Sequence, residues 1–259
     1  MAMPNDDESC PLCGGTGWAV ADGDGGPKAR RCSCMEVRRA ATLLDAAAIP
    51  PRYRDCSLDN YKATTPLQND ALKTARKFVE DFPNRGAGLL FIGPCGVGKT
   101  HLAAAVLKDI VARHAAPGLF YDFRDLIRDI QATYTPESGL TESDVLAPVF
   151  RSRILVLDEL GAKRSTAWVE DTVFTIIKHR YNRRQLTLFT SNYPDSAEVE
   201  LEGQAWKKTD LAKREETLID RVGARLRSRL YEMCKIVEMD GEDFRFKVKQ
   251  AGYRSGRGF

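Results

Sequence analysis

The sequence has no apolar run that approaches the roughly 20 residues needed to cross a bilayer. Its opening residues, with Asp6, Asp7 and Glu8, lack the basic-then-apolar pattern of an export signal. Membrane-spanning and exported classes are set aside on these grounds, and a cytoplasmic location is expected. Charge of one sign is also scarce. Against 36 Asp and Glu stand 39 Lys and Arg, a formal net charge of +3, so only local basic clusters can argue for nucleic acid. Internal repeats and low-complexity tracts are absent, which removes solenoid and array architectures. What remains is a chain of 259 residues, 43% hydrophobic, long enough for one large domain and an appendage.

Disulfides are not expected among the seven cysteines of such a chain, because the cytoplasm keeps thiols reduced. Spacing separates ligands from buried thiols. Cys10-Pro-Leu-Cys13 is a C-x-x-C and Cys32-Ser-Cys34 a C-x-C, joined by a loop carrying Gly14, Gly15, Gly17, Gly23, Gly25 and Gly26. Two close pairs of thiolates can surround a tetrahedral Zn²⁺, and the glycines let the chain turn about the metal. The alternatives are four free thiols, or a redox-active Cys10/Cys13 pair, which lacks the βαβ surroundings of such motifs. The segment has too few apolar residues to fold alone, so zinc would supply its folding free energy. Cys56, Cys95 and Cys234 have no partner at ligand spacing and are read as structural.

Three regions are expected: a cysteine-bearing head at 1–36, a helical linker at 37–65, and an α/β body at 66–259. Val37 to Ala48 reads as an Ala-rich helix stopped by Pro50 and Pro51. Gln68 to Phe82 reads as an amphipathic helix with Leu72, Ala75, Phe78 and Val79 on one face. Strands and helices then alternate. The strands are Leu89 to Ile92, Gly118 to Asp122, Ile154 to Leu157 and Leu186 to Thr190; the helices run from Thr100, from about Phe123 to Tyr134, and from Trp168 to Arg184. Such alternation implies a parallel sheet covered by helices on both faces. Ile236 to Met239 and Phe244 to Val248 read as a final hairpin about Asp240-Gly241. No C-terminal helical lid is evident.

Between the first of these strands and its helix, Gly93-Pro-Cys-Gly-Val-Gly-Lys-Thr100 fills every fixed place of the phosphate-binding pattern G-x-x-x-x-G-K-[ST]. Its glycines let backbone N–H groups converge on phosphate oxygens, and the helix N-terminus adds partial positive charge. Lys99 supplies a cation for the outer phosphates and Thr100 a hydroxyl for Mg²⁺. Some 55 residues later, by count along the chain, Ile154-Leu-Val-Leu-Asp-Glu159 places two carboxylates at the end of an apolar strand. Asp158 suits the Mg²⁺ that bridges the outer phosphates, and Glu159 suits a water placed for in-line attack. Asn192, at the tip of the next strand, can sense the terminal phosphate, although Ser-Asn is also a common way to leave a strand.

Together, Gly93 to Ala103, Leu157-Asp-Glu-Leu-Gly161, Arg180-Tyr-Asn-Arg-Arg184 and Thr190-Ser-Asn192 resemble the DnaC/DnaI branch of the AAA+ ATPases, the replicative helicase loaders, over about residues 50 to 246. The resemblance implies a P-loop AAA+ parallel sheet flanked by helices that hydrolyses ATP with Mg²⁺. It places Gly93, Pro94, Cys95, Gly96, Val97, Gly98, Lys99, Thr100 and His101 around the nucleotide, Asp158 and Glu159 as the Walker B pair, and Asn192 as sensor 1. It also implies an arginine finger that completes a neighbouring subunit's site, and so an ATP-dependent homo-oligomer. Arg221 and Arg225 fit that place, and their spacing puts both on one helix face. Arg227 and Arg229 read as part of a solvated basic helix.

The stretch Phe123 to Arg153 is longer than a simple crossover and carries Arg124, Arg128, Tyr134, Arg151 and Arg153; Lys163 and Arg164 extend a positive rim. The family resemblance implies contact with single-stranded DNA there, which Asp122, Asp125, Asp129, Glu137, Glu142 and Asp144 dilute. The same resemblance makes the Cys10/Cys13/Cys32/Cys34 head the element that grips a DnaB-type replicative helicase. Two other readings stay open: a transposition helper ATPase of the IstB type, and a zinc-stabilised nucleotide-dependent switch that binds a protein partner. Cys10-Pro-Leu-Cys13-Gly-Gly-Thr-Gly17 also resembles the zinc motif of the chaperone DnaJ in a single copy.

Overall fold

A computed structural model of the chain describes residues 10–23, 26–84, 86–135, 139–163, 166–195 and 216–246. The head is an antiparallel pair, β1 (Trp18–Gly23) and β2 (Gly26–Arg31), followed by helix α1 (Ser33–Ala46). The reading of this stretch as a loop between cysteine pairs therefore missed a hairpin. Its signal is weak, since Trp18 and Val20 alternate only once before the Asp-Gly-Asp-Gly-Gly run, and both side chains stay exposed. A two-stranded ribbon with open faces has little apolar burial to hold it, so its stability rests on the cysteine end.

α1 begins inside the second cysteine pair, and the boundary expected after residue 36 falls within this helix. Leu43 and Leu44 of α1 pack against the main core, and the Phe120 N–H donates to the Ala47 carbonyl at 2.7 Å. After α1, Ala47, Ile49, Leu58 and Tyr61 are buried in that core, so the 47–61 stretch is built into the body.

The body contains α2 (Pro66–Glu80), β3 (Gly88–Ile92), α3 (Lys99–His114), β4 (Gly118–Asp122), α4 (Phe123–Ala132), α5 (Glu142–Arg151), β5 (Ile154–Asp158), α6 (Ala167–Asn182), β6 (Leu186–Ser191), α7 (Leu218–Val222), α8 (Ala224–Met233) and β7 (Cys234–Glu238). Five strands form one parallel sheet in the order β4-β5-β6-β3-β7. Alternate residues serve opposite faces. Leu89, Phe91, Ile154, Val156 and Leu188 join a core with α1, α2 and α3, whereas Leu90, Ile92, Leu155, Leu157 and Phe189 join a second core with α4 to α8. Both faces being covered explains why every residue of β3, β5 and β6 is buried.

α3 is buried nearly all round, from Leu102 to Leu107 and at Ile110 and Val111, because it lies between the sheet and α1 and α2. Ala103, Ala104 and Ala105 permit that close packing; a larger side chain there costs about 1–3 kcal/mol in overpacking.

The expected final hairpin is not formed. Ile236 and Val237 lie in β7, which runs parallel to β3 at the sheet edge, and the chain turns helical from Phe244 to Phe246. The alternation that suggested a hairpin is that of an edge strand packed by α2 on one face and by α8 on the other. Lys247 and Val248 lie outside the described residues.

Candidate nucleotide site and cysteine cluster

In a parallel sheet the carboxyl ends of all strands point one way, and this fold gathers β3, β5 and β6 so that their ends share one crevice. At the end of β3, Gly98 caps α3 with φ of 96°, and a Cβ there would meet the Tyr61 ring at 2.5 Å. Only glycine satisfies both the backbone angle and the contact. Tyr61 in turn donates to the Val97 carbonyl at 2.8 Å, bracing the loop from the 47–61 stretch. Lys99 is 5% exposed, and its Nζ donates to the Gly93 and Pro94 carbonyls at 2.7 and 2.6 Å. Burial draws its pKa down to about 8, with Cys95, Asp158 and Glu159 pulling the other way. An ammonium so placed gains by meeting phosphate. Cys95 is exposed on the same loop.

Thr100 and Asp158 meet: the hydroxyl donates to Asp158 Oδ1 at 2.9 Å. Thr190 donates to that same oxygen at 2.6 Å and accepts from the Glu159 N–H at 2.9 Å. Thr190 thus holds both carboxylate residues, a role the sequence reading assigned to no residue. Its signal was a hydroxyl two positions before Asn192, near the carboxyl end of the same strand. Burial pushes the Asp158 carboxyl up to about 6, the two hydroxyl bonds opposing. A divalent cation beside it would reverse that balance. The Thr100 and Asp158 oxygens are the donor type that Mg²⁺ prefers.

Glu159 adopts φ of 56°, a left-handed conformation that costs a side-chain-bearing residue energy and turns the carboxylate out of the strand. It is half-exposed and lies 3.8 Å from the Arg124 guanidinium. Asn192 is half-buried at the tip of β6, next to Ser191, which bonds the Leu160 carbonyl at 3.0 Å. Tyr53, also missed, lies close enough for burial and the Asp158 charge to raise its phenol. The His101 ring is committed to the Ser57 carbonyl at 2.9 Å and the edge of Tyr61, so it fixes the 47–61 stretch.

Arg221 and Arg225 do not share one environment. Arg221 is 8% exposed and donates to the Gly161 and Ala162 carbonyls at 2.8 and 3.2 Å, pairs with Glu216 at 2.9 Å, and lies over the Tyr193 ring. Arg225 is exposed, its guanidinium over the Phe174 ring. The common helix face expected for them is interrupted at Gly223, where α7 ends and α8 begins. Arg227 is not purely solvated either, since it forks onto Asp195 at 2.9 and 3.0 Å.

Along the expected DNA rim, Arg128 pairs with Asp125 and Asp129, Tyr134 bonds Glu142, and Lys163 bonds Gln131. Arg153 lies over Phe82. Arg164 lies outside the described residues.

In the head, the Sγ atoms of Cys10, Cys13, Cys32 and Cys34 all lie within 4.8 Å of one another. Cys10–Cys32 and Cys13–Cys34 are 3.7 and 3.5 Å apart. A tetrahedral Zn²⁺ with Zn–S of about 2.3 Å requires S···S of about 3.8 Å, whereas a disulfide requires about 2.05 Å. The donor set therefore fits zinc. Desolvation raises the Cys13 thiol, but hydrogen bonds from the Gly17 and Gly15 backbone and from Cys34 outweigh it and bring it to about 6. Cys34, in the first turn of α1, moves the other way: its contact with Cys32 first, then desolvation and the Cys13 and Cys10 thiols, push it up to about 12.

No helix among the described residues is long and apolar enough to cross a membrane. A solved structure of the DnaC helicase loader is 36% identical, with a TM-score of 0.59 over 73% of this chain and 99% of that one. A solved structure of DnaI is 25% identical, with a TM-score of 0.55 over 74% of this chain and 95% of that one. The replicative helicase loader DnaC of Escherichia coli strain K12 is 29% identical over 163 residues, 63% of this chain and 64% of that protein, so the chain matches less than two thirds of its length. The phosphate loop, the acidic pair and the five-stranded parallel sheet are those of a nucleotide-binding ATPase fold. A family model described as IstB-like ATP binding protein matches residues 29–252, and the chain belongs to that family.

Proposed function

We propose that this chain is an ATP-hydrolysing loader of a replicative helicase, gripping a DnaB-type hexamer through the cysteine head and single-stranded DNA through the ATPase body. The observation that carries it is the similarity to the DnaC helicase loader over 99% of that solved chain, joined to a site with parts for hydrolysis. Lys99 and the loop N–H groups bind the phosphates; Thr100 and Asp158 would hold Mg²⁺, which when bound would supply charge neutralisation at the outer phosphates. Glu159 accepts the proton of the attacking water, and Asn192 orients that water against the terminal phosphate. Arg124 competes for the Glu159 carboxylate, so the base is released when that ion pair opens. An arginine from a neighbouring subunit stabilises the transferring charge. Arg225, exposed over the Phe174 ring, serves by leaving only that ring; Arg221 does so only by leaving Gly161, Ala162 and Glu216. Cys10, Cys13, Cys32 and Cys34 would hold a Zn²⁺ whose binding would supply folding free energy to the head.

Co-purification of the full chain with hexameric replicative helicase, dependent on ATP and lost in a Cys10→Ser/Cys13→Ser variant, is the expected result. The same variant is expected to lose bound zinc by elemental analysis while its ATPase body keeps its melting transition. Helicase that never co-purifies overturns the loader reading. The family match also supports a transposition helper of the IstB type, and capture of a transposase in place of helicase decides for it. Glu159 separates both from a binding-only switch. Glu159→Gln is expected to bind ATP normally while turnover falls about 10²-fold or more; unchanged phosphate release removes Glu159 from the mechanism.

A further inference from the structure

From Met239 to Phe246 the chain stays against the body. The Met239 N–H donates to the Ile92 carbonyl at 2.8 Å, extending the β3 pairing to the threshold of the phosphate loop. Asp240 is tied to the start of α2, its side chain by the Thr65 hydroxyl and its carbonyl by Gln68 Nε2 at 2.7 Å. The chain then crosses the loop itself: the Phe244 N–H donates to the Gly96 carbonyl at 3.2 Å. Gly96 has φ of 81°, and a Cβ there would overlap the Asp243 carboxylate. Asp243 Oδ1 accepts from the Arg245 N–H at 2.9 Å, fixing the backbone of the next residue. Met239 to Phe246 is thus a strap anchored at α2 and on the phosphate loop, and it carries the exposed Arg245 just past the loop contact.

We propose that Arg245 is a nucleotide-binding residue of this site, a second cation for the outer phosphates delivered by the strap rather than by a helical domain. The proposal rests on the reading of Gly93 to Thr100 as a nucleotide site. Three observations converge on it. The strap's one backbone bond to the loop, at Gly96, lies one residue before Arg245. The Arg245 charge reaches the site: after burial, which dominates, it is among the groups that lower Lys99, and it also acts on Tyr53. Arg245 is also exposed, with its backbone fixed by Asp243, so its long side chain can swing without disturbing the strap. Lys99 meanwhile is buried and bonded to two loop carbonyls, leaving room in the charge balance for another cation against a triphosphate.

The test is calorimetric titration of the full chain with ADP and with a non-hydrolysable ATP analogue, in the presence of Mg²⁺. Arg245→Ala is expected to weaken the ATP analogue about tenfold and ADP clearly less, with an unchanged melting temperature, and Arg245→Lys to restore most of the loss. Equal binding of both nucleotides by Arg245→Ala and the parent chain overturns the proposal. So does an equal loss for both nucleotides with a lowered melting temperature, since that marks a structural strap. Lys99→Ala serves as the control. If Lys99→Ala binds as the parent does, or the parent binds neither nucleotide, the site reading itself has failed and the proposal with it. If Lys99→Ala loses binding while Arg245→Ala keeps it, only the proposal has failed.

Discussion

Arg180, at the amino ends of the strands, and Asp158, at the carboxyl ends, are both buried charges in one sheet, but their surroundings differ. Arg180 is wholly buried and donates five hydrogen bonds to neutral oxygens: Thr187 Oγ1, the Val149, Ser152 and Leu186 carbonyls, and Ser152 Oγ. Burial lowers its pKa to about 9, so it stays charged at neutral pH and pins α5, α6 and β6 together. Asp158 receives two hydroxyls on one oxygen and is pushed up to about 6. A charge partnered at every nitrogen builds architecture, whereas an under-neutralised one is poised to receive a ligand.

The largest effect that would break this contrast is at Arg180. Arg180→Met strands several buried acceptors and is expected to cost about 3–5 kcal/mol, read by urea denaturation, with nucleotide affinity retained in the folded fraction. A loss below about 1 kcal/mol would show that the five bonds add little.

Next is Asp158→Asn. The folded-state pKa lies above the ordinary carboxylate value, so without Mg²⁺ the native state holds a proton that the unfolded chain has released. Stability therefore falls as pH rises from about 4 through about 6, by up to about 3 kcal/mol for a shift of two units. Asn is expected to flatten that dependence and to be the more stable form at pH 8, while Mg²⁺-dependent turnover vanishes. Thermal melts at pH 5 and pH 8 read it; a variant less stable than the parent at pH 8 contradicts the assignment.

The smallest effect on stability is at Thr190. Thr190→Val removes one hydroxyl from between Asp158 and Glu159 and is expected to cost about 1–2 kcal/mol. Turnover should fall about tenfold, nucleotide affinity should change little, and Thr190→Ser should recover activity. Steady-state kinetics on both variants distinguishes positioning of the acidic pair from simple packing.

Much of the site was legible because its chemistry is local. Gly93 to Thr100 specifies a loop, a cap and a cation within eight successive residues, and Ile154 to Glu159 places its carboxylates by strand polarity alone. The cysteine pairs are of the same kind, with close spacing that brings four sulfurs together once the hairpin folds back. Thr190, Tyr53 and Arg245 were not legible, since each reaches the site from a different part of the chain. The β7 pairing was misread for a related reason: alternation reports one buried face but not which strand lies alongside.

The sequence by itself determined the parallel α/β class, the phosphate loop, the Asp158-Glu159 end of β5 and the paired cysteines, because hydrophobic period and short-range spacing act over a few residues. Only the tertiary structure decided that Thr190 holds both acidic residues, that Arg221 turns onto its own chain while Arg225 stays exposed, and that the 239–246 strap crosses the phosphate loop. Those choices depend on which strand ends meet and how each side chain's polar atoms find partners once buried, and packing of the whole chain sets both.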